Sequence, residues 1–93
     1  MNIRNKVTII PKFTEITMDG IDYEYLSGTF IRKANGIVLY FDTIEHANMF
    51  SDVLKFTEVI NLLLFKRGEE TIQGFGGPLI IKSLEGTRVF LGK

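Results

Sequence analysis

Asp42-Thr43-Ile44-Glu45-His46-Ala47-Asn48-Met49-Phe50-Ser51-Asp52-Val53-Leu54-Lys55-Phe56-Thr57-Glu58-Val59-Ile60-Asn61-Leu62-Leu63-Leu64-Phe65-Lys66-Arg67-Gly68 is the stretch whose reading decides the fold. It contains no proline, and no glycine before Gly68. Asp42 and Glu45 have the spacing of a capping box, with Asp in place of Ser or Thr. Lys66 and Arg67 suit the negative end of a helix dipole, and Gly68 supplies a stop. The pattern predicts one long helix from Thr43 to about Phe65.

Two apolar stripes run along that helix. Met49, Val53, Phe56, Ile60 and Leu63 follow helical spacing without interruption and are expected to meet the core. Ala47, Phe50, Leu54, Thr57, Asn61 and Phe65 form the second stripe. Thr57 and Asn61 interrupt it, and an unpaired buried amide costs about 1–3 kcal/mol. Phe50, Leu54, Thr57, Asn61 and Phe65 are therefore the expected partner or dimer interface; a curled sheet that covers both stripes within one chain is the alternative. Asn48, Asp52, Lys55 and Glu58 hold the polar face.

Strands are expected on both sides of the helix. Asp19-Gly20 and Asn35-Gly36 are strong two-residue hairpin signals, because a type I′ turn needs positive φ at both central residues. The first sets Met18 opposite Ile21, Ile16 opposite Tyr23 and Thr14 opposite Tyr25. Glu15, Thr17, Asp22 and Glu24 fall on the other, wet face. The second sets Ala34 opposite Ile37, Arg32 opposite Leu39 and Phe30 opposite Phe41. Ile37-Val38-Leu39-Tyr40-Phe41 is apolar on both sides and reads as a central strand covered on both faces. A curled sheet or a second chain must then supply cover beyond the helix. After the helix, Glu69–Gln73 starts a strand, Gly74-Phe75-Gly76-Gly77-Pro78 breaks it, and Leu79–Ser83 and Thr87–Leu91 form a hairpin about Glu85-Gly86, a weaker turn signal. The expected fold is one α+β domain over residues 1–93: a mostly antiparallel sheet, strongly curled in one version, in the order β-β-β-β-α-β-β with a further strand where the glycine run allows.

Composition bounds the function. Twelve Ile and eight Phe against two Ala give bulky packing material, and this bias fits an AT-rich bacterial or phage genome. Eleven basic and eleven acidic side chains cancel, which argues against a duplex-DNA binder. With no cysteine there is no disulfide, thiolate metal site or thiol nucleophile, and a reducing, cytoplasmic setting is expected. Met1–Val7 lacks a signal-peptide core, and the apolar run Val59–Phe65 is far shorter than the ~20 residues that span a bilayer.

Individual residues yield few sites. Glu15, Asp19, Asp22 and Glu24 offer oxygen ligands but lie spread along a flat ribbon, so a solvated face is expected rather than a metal site. His46, the only histidine, lacks a nameable catalytic partner. Gly74, Phe75, Gly76 and Gly77 are the candidate ligand loop, since glycines let backbone amides converge; a bend that redirects the chain is the plainer reading. Tyr23, Tyr25, Phe30 and Tyr40 near Lys12, Arg32 and Lys33 are the candidate for single-stranded nucleic acid on an OB-like barrel, against ordinary core packing. No catalytic, metal or cofactor set emerges. The sequence points to a non-catalytic protein-binding chain, regulatory, inhibitory or assembling, that self-associates as a homodimer. The OB-like nucleic-acid binder is the alternative.

Overall fold

The computed structural model describes residues 11–93; Met1–Val7 lies outside them. Over the described residues the chain is α+β, with one helix and eight antiparallel strand segments. The segments are β1 (Lys12–Phe13), β2 (Glu15–Met18), β3 (Ile21–Tyr23), β4 (Gly28–Lys33), β5 (Gly36–Phe41), α1 (Ile44–Thr57), β6 (Ile60–Arg67), β7 (Glu70–Glu85) and β8 (Arg88–Gly92).

Spatial order is β1-β4-β5-β8-β7-β6-β2-β3. Only Thr14 separates β1 from β2, yet β1 pairs with β4 and β2 with β6. The bent segment Lys12–Met18 therefore pairs with β4 through its first part and with β6 through its last, closing the sheet into a barrel with β3 as an edge strand beyond β2. Thr14 itself donates its backbone N–H to the Lys66 carbonyl at 2.9 Å. The long strand β7 performs the second bend: its first part pairs with β6 up to Leu79, and its last part pairs with β8 from Ile80. Closure gives the sheet an inside, and six phenylalanines fill it and its helix-covered end. Phe30 and Phe65 stack with centroids 4.1 Å apart; Phe13 and Phe75 pack against both, and Phe41 meets Phe50 of α1 at 5.1 Å.

The Asp19-Gly20 hairpin forms in the expected register, with φ of 50° and 88° at the two turn residues. Tyr25 falls beyond β3 and does not pair with Thr14. The second hairpin turns one residue earlier than Asn35-Gly36 predicts: Lys33 pairs with Gly36, and Phe30 with Leu39 rather than Phe41. Gly36 is needed elsewhere. It sits in β5, where a Cβ would collide with the Leu91 carbonyl of β8. The slip moves each partner by two, so the same side chains still face inward. β5 lies between β4 and β8, and Ile37, Val38 and Leu39 are 2%, 1% and 0% exposed, so both of its faces are covered.

The helix is shorter than its sequence pattern. It ends at Thr57, and Glu58 turns the chain with φ of 64°. The Val59 N–H closes onto the Thr57 carbonyl at 2.7 Å, a tight γ-turn that launches β6. Residues read as the last helical turns are thus a strand, and Gly68 lies in the β6–β7 turn. The cap differs too. Thr43, not Asp42, is the N-cap, its hydroxyl accepting from the His46 N–H at 3.1 Å. Asp42 instead accepts from Lys12 Nζ at 2.6 and 2.7 Å and from Ser27 Oγ at 2.7 Å, tying the end of β5 to β1. The Lys12 ammonium and then the Ser27 hydroxyl hold the Asp42 carboxyl below its ordinary value. Among the described residues no helix is long and apolar enough to cross a membrane.

Candidate binding surfaces

Ending the helix at Thr57 exchanges the roles of its two stripes. Phe50, Leu54 and Phe65, expected at an interface, are buried in the core: Phe50 and Leu54 from α1, and Phe65 from the inner face of β6. Thr57 and Asn61 are exposed. The Thr57 hydroxyl donates back to the Val53 carbonyl at 3.4 Å, and the Asn61 backbone N–H donates to Asp19. These five residues form no common face. The uninterrupted stripe, expected in the core, points outward instead. Phe56 is 89% exposed and Met49 40%, with Val53 half-buried between them. Ile60 and Leu63 leave that stripe altogether and pack inside the barrel from β6.

The acidic ribbon is occupied by the fold. Glu15 meets Lys66 at 3.5 Å, and Asp22 accepts from Thr17 Oγ1 at 2.6 Å. Asp19 accepts from the backbone N–H groups of Asn61 and Leu62 at 2.9 and 2.7 Å, which fixes the start of β6 against the hairpin. Among the described residues no three His, Cys, Asp or Glu side chains come together as metal ligands. His46 lies in the first turn of α1, half-buried, its Nδ1 without a hydrogen-bond partner.

Gly74, Phe75, Gly76 and Gly77 do not form a loop. They continue β7 and pair with β6, Gly74 opposite Leu64, Phe75 opposite Leu63 and Gly76 opposite Leu62. Gly77 serves close backbone approach. A Cβ on Gly77 would collide with the Ile60 carbonyl and lie 2.8 Å from Leu79 N, just where the β6–β7 register shifts. The sequence expectation of a bend is met; that of a break is not.

The same glycines line an open cleft of about 600 Å³ between the bend of β7 and the β4–β5 turn. Arg32, Lys33 and Lys93 line it, and among the described residues no Asp or Glu does. Arg32 lies on the inward side of β4 at the barrel mouth, its guanidinium 5.3 Å from the centre of the Phe75 ring. Lys12, Lys55 and Lys66 pair with carboxylates elsewhere, whereas none of the three cleft cations has such a partner among the described residues. A neutral chain thus carries a local basic cleft. Arg32 and Lys33 were legible as basic residues beside aromatics, but their meeting with Gly74–Gly77 and Lys93 depends on barrel closure. Tyr25 and Tyr40, the exposed aromatics proposed for base stacking, do not line this cleft.

Protein-family models, curated proteins and solved structures contain no match to the chain.

Proposed function

We propose that this chain is a small non-catalytic protein-binding protein, of the regulatory, inhibitory or assembly kind, that self-associates through the outward face of α1. The observation that carries the reading is the exposure of Phe56, aligned with Met49 seven residues earlier. Burying such a side chain contributes about 1.5–3 kcal/mol, which this fold leaves unused in the monomer. An antiparallel pair of α1 helices crossing near Asp52 sets Phe56 of each copy on Met49 of the other, the reciprocal contact that a two-fold interface requires. Glu45, Asp52 and Lys55 flank the face, and Lys55 pairs with Asp52 at 3.2 Å, which offsets one of its two negative charges. The face is narrow, well under the ~800 Å² per partner of a stable complex, and the dimer is correspondingly weak. The absence of cysteine supports a cytoplasmic setting.

Sedimentation equilibrium from about 10 µM to 1 mM tests this, the range in which a weak dimer dissociates. The wild type should rise above 10.6 kDa with concentration, while Phe56→Ser stays at that mass. A wild type that remains at 10.6 kDa throughout overturns self-association.

A second reading, single-strand nucleic-acid binding, draws on the closed barrel and the basic cleft. Its test is oligonucleotide binding that weakens linearly in log salt, because phosphate contacts release counterions. Against it, Phe75, the one ring among the described residues that line the cleft, is 8% exposed and lies beneath Arg32, so no free stacking platform accompanies the cations.

A further inference from the structure

The bend in β7 leaves a strand edge open. From Glu70 to Leu79 one edge of β7 pairs with β6; the other edge meets β8 only from Ile80 onward. Among the described residues, none pairs with the other edge of Glu70–Leu79. Backbone N–H and C=O groups on such an edge are a template for another strand. Proteins usually blunt such edges with bulky or charged side chains, proline or a covering loop. Glu70 stands at the start of this edge and Pro78 near its end; between them Gly74, Gly76 and Gly77 contribute no side chain. A Cβ built on Gly76 meets nothing within 4 Å. The Gly74 carbonyl accepts from Gln73 Nε2 at 3.3 Å, a local partner rather than a strand.

The cleft of about 600 Å³ lies along this edge. An added strand pairs residue for residue with the edge it joins, so the lining stretch Gly74–Leu79 faces about six residues of such a segment. A segment placed there lies beside Gly74–Leu79, on the edge of β7 that β8 does not reach. It is flanked by Arg32, Lys33 and Lys93, with no Asp or Glu among the described lining residues. We propose that the open edge of β7 takes an extended, acidic peptide segment of a partner protein as an added strand. Main-chain hydrogen bonds to β7 supply affinity, and the three cations select acidic side chains. This adds a second surface to the protein-binding reading and does not depend on the α1 face.

The probe is a fluorescein-labelled six-residue peptide of alternating Glu and Val, titrated with the full chain and followed by anisotropy. Its Glu-to-Lys counterpart, its fully backbone-N-methylated form and a ten-nucleotide oligothymidylate are titrated in parallel. The acidic peptide should bind, and the basic and N-methylated forms should each lose at least about tenfold in affinity, the size of one strong contact. Amide exchange along Glu70–Leu79 should slow when the peptide saturates the chain. The exposed, unpaired Lys33 and Lys93 permit the variant Lys33→Glu/Lys93→Glu without loss of a core contact, and it should weaken the peptide at least about tenfold. Phe56→Ser should bind it as the wild type does, so a failure of self-association and a failure of strand addition read out separately. An N-methylated peptide that binds as well as its parent overturns the proposal, since charge then acts without pairing. Tighter binding of oligothymidylate than of the acidic peptide also overturns it, in favour of the nucleic-acid reading, as does no peptide binding at all.

Discussion

The helix α1 and the strand β6 are halves of one uninterrupted run of sequence, and they differ in where their polar residues fall. In α1, Asn48, Asp52 and Lys55 recur on a helical period and mark a wet side. In β6, Ile60-Asn61-Leu62-Leu63-Leu64-Phe65 has one polar residue in six and no period of its own. A short apolar run of this kind suits a buried strand or a buried helix end equally. Tertiary structure chooses: β2 and β7 already flank the position, and Leu63 and Phe65 face the barrel interior together. Ile60 has the opposite parity, and the register shift between Ile60 and Leu62 brings it to the same interior. Periodicity is informative where polar residues interrupt it and silent where they do not.

The largest test of this division compares Phe50→Ala and Phe65→Ala with Phe56→Ala. Phe50 and Phe65 have no exposed surface, and each truncation should cost about 3–5 kcal/mol. In a domain with a total stability of about 5–10 kcal/mol, either variant approaches unfolding. Phe56→Ala should change stability by about 0.5 kcal/mol or less, since its ring lies in solvent. Urea denaturation of the three variants decides. If the run were one long helix with its uninterrupted stripe inward, Phe56→Ala would be the severe change and Phe50→Ala the mild one.

Asp19 tests the strand half. Its carboxylate accepts the backbone N–H groups of Asn61 and Leu62, which open β6. Asp19→Gly keeps the positive φ of the turn but removes the acceptor, and should cost about 2 kcal/mol for charge-assisted bonds at an exposed site. Amide exchange should quicken at Asn61 and Leu62 and stay unchanged in the middle of α1. Uniform quickening would mean that β6 does not depend on this anchor.

Legibility followed the same physics. The Asp19-Gly20 hairpin was readable because its turn demands positive φ at two positions and the sequence supplies residues that tolerate it. Asn35-Gly36 carried the same signal and misplaced the turn, since Gly36 is required for close approach to Leu91, a neighbour distant in sequence. The doubly covered β5 was readable from its unbroken apolar run. Barrel closure was not, because the bend at Thr14 has no glycine, proline or charge pattern to announce it. The cleft inherits that limit: its glycines stood out, and its cations could be gathered only after the sheet closed.

The junction between the two halves offers a third test. Glu58 is the non-glycine centre of the γ-turn, at φ of 64°, where an L side chain is strained by roughly 1–3 kcal/mol. Glu58→Gly should relieve it and, after the added unfolded-state entropy of glycine, stabilise the chain by about 1 kcal/mol. Thermal melting with circular dichroism measures the gain. Destabilisation instead would indicate that the helix continues through this position, because glycine weakens a helix interior by about that amount.

The smallest effects separate the two candidates for the helix start. If Asp42 were the N-cap, Asp42→Asn would be nearly neutral, because Asn caps as well as Asp, and Thr43→Ala would matter little. In the observed arrangement Thr43 caps, so Thr43→Ala should cost about 1 kcal/mol at any pH. Asp42 is instead an ionic anchor between β5 and β1, its side chain 41% exposed, and solvent screening limits Asp42→Asn to under about 1 kcal/mol at neutral pH. The sign of its pH dependence follows from the lowered carboxyl pKa in the folded chain. Its stabilising contribution is complete above the unfolded-state pKa and disappears as pH falls through the folded one. The gap between wild type and Asp42→Asn should therefore be present at pH 7 and close as the solution is taken below about pH 4, where free aspartate protonates. The Thr43→Ala gap should persist over the same range. Urea melts of both variants across that window distinguish the anchor from the cap, and a pH-independent Asp42→Asn penalty would remove the ion pair from the account.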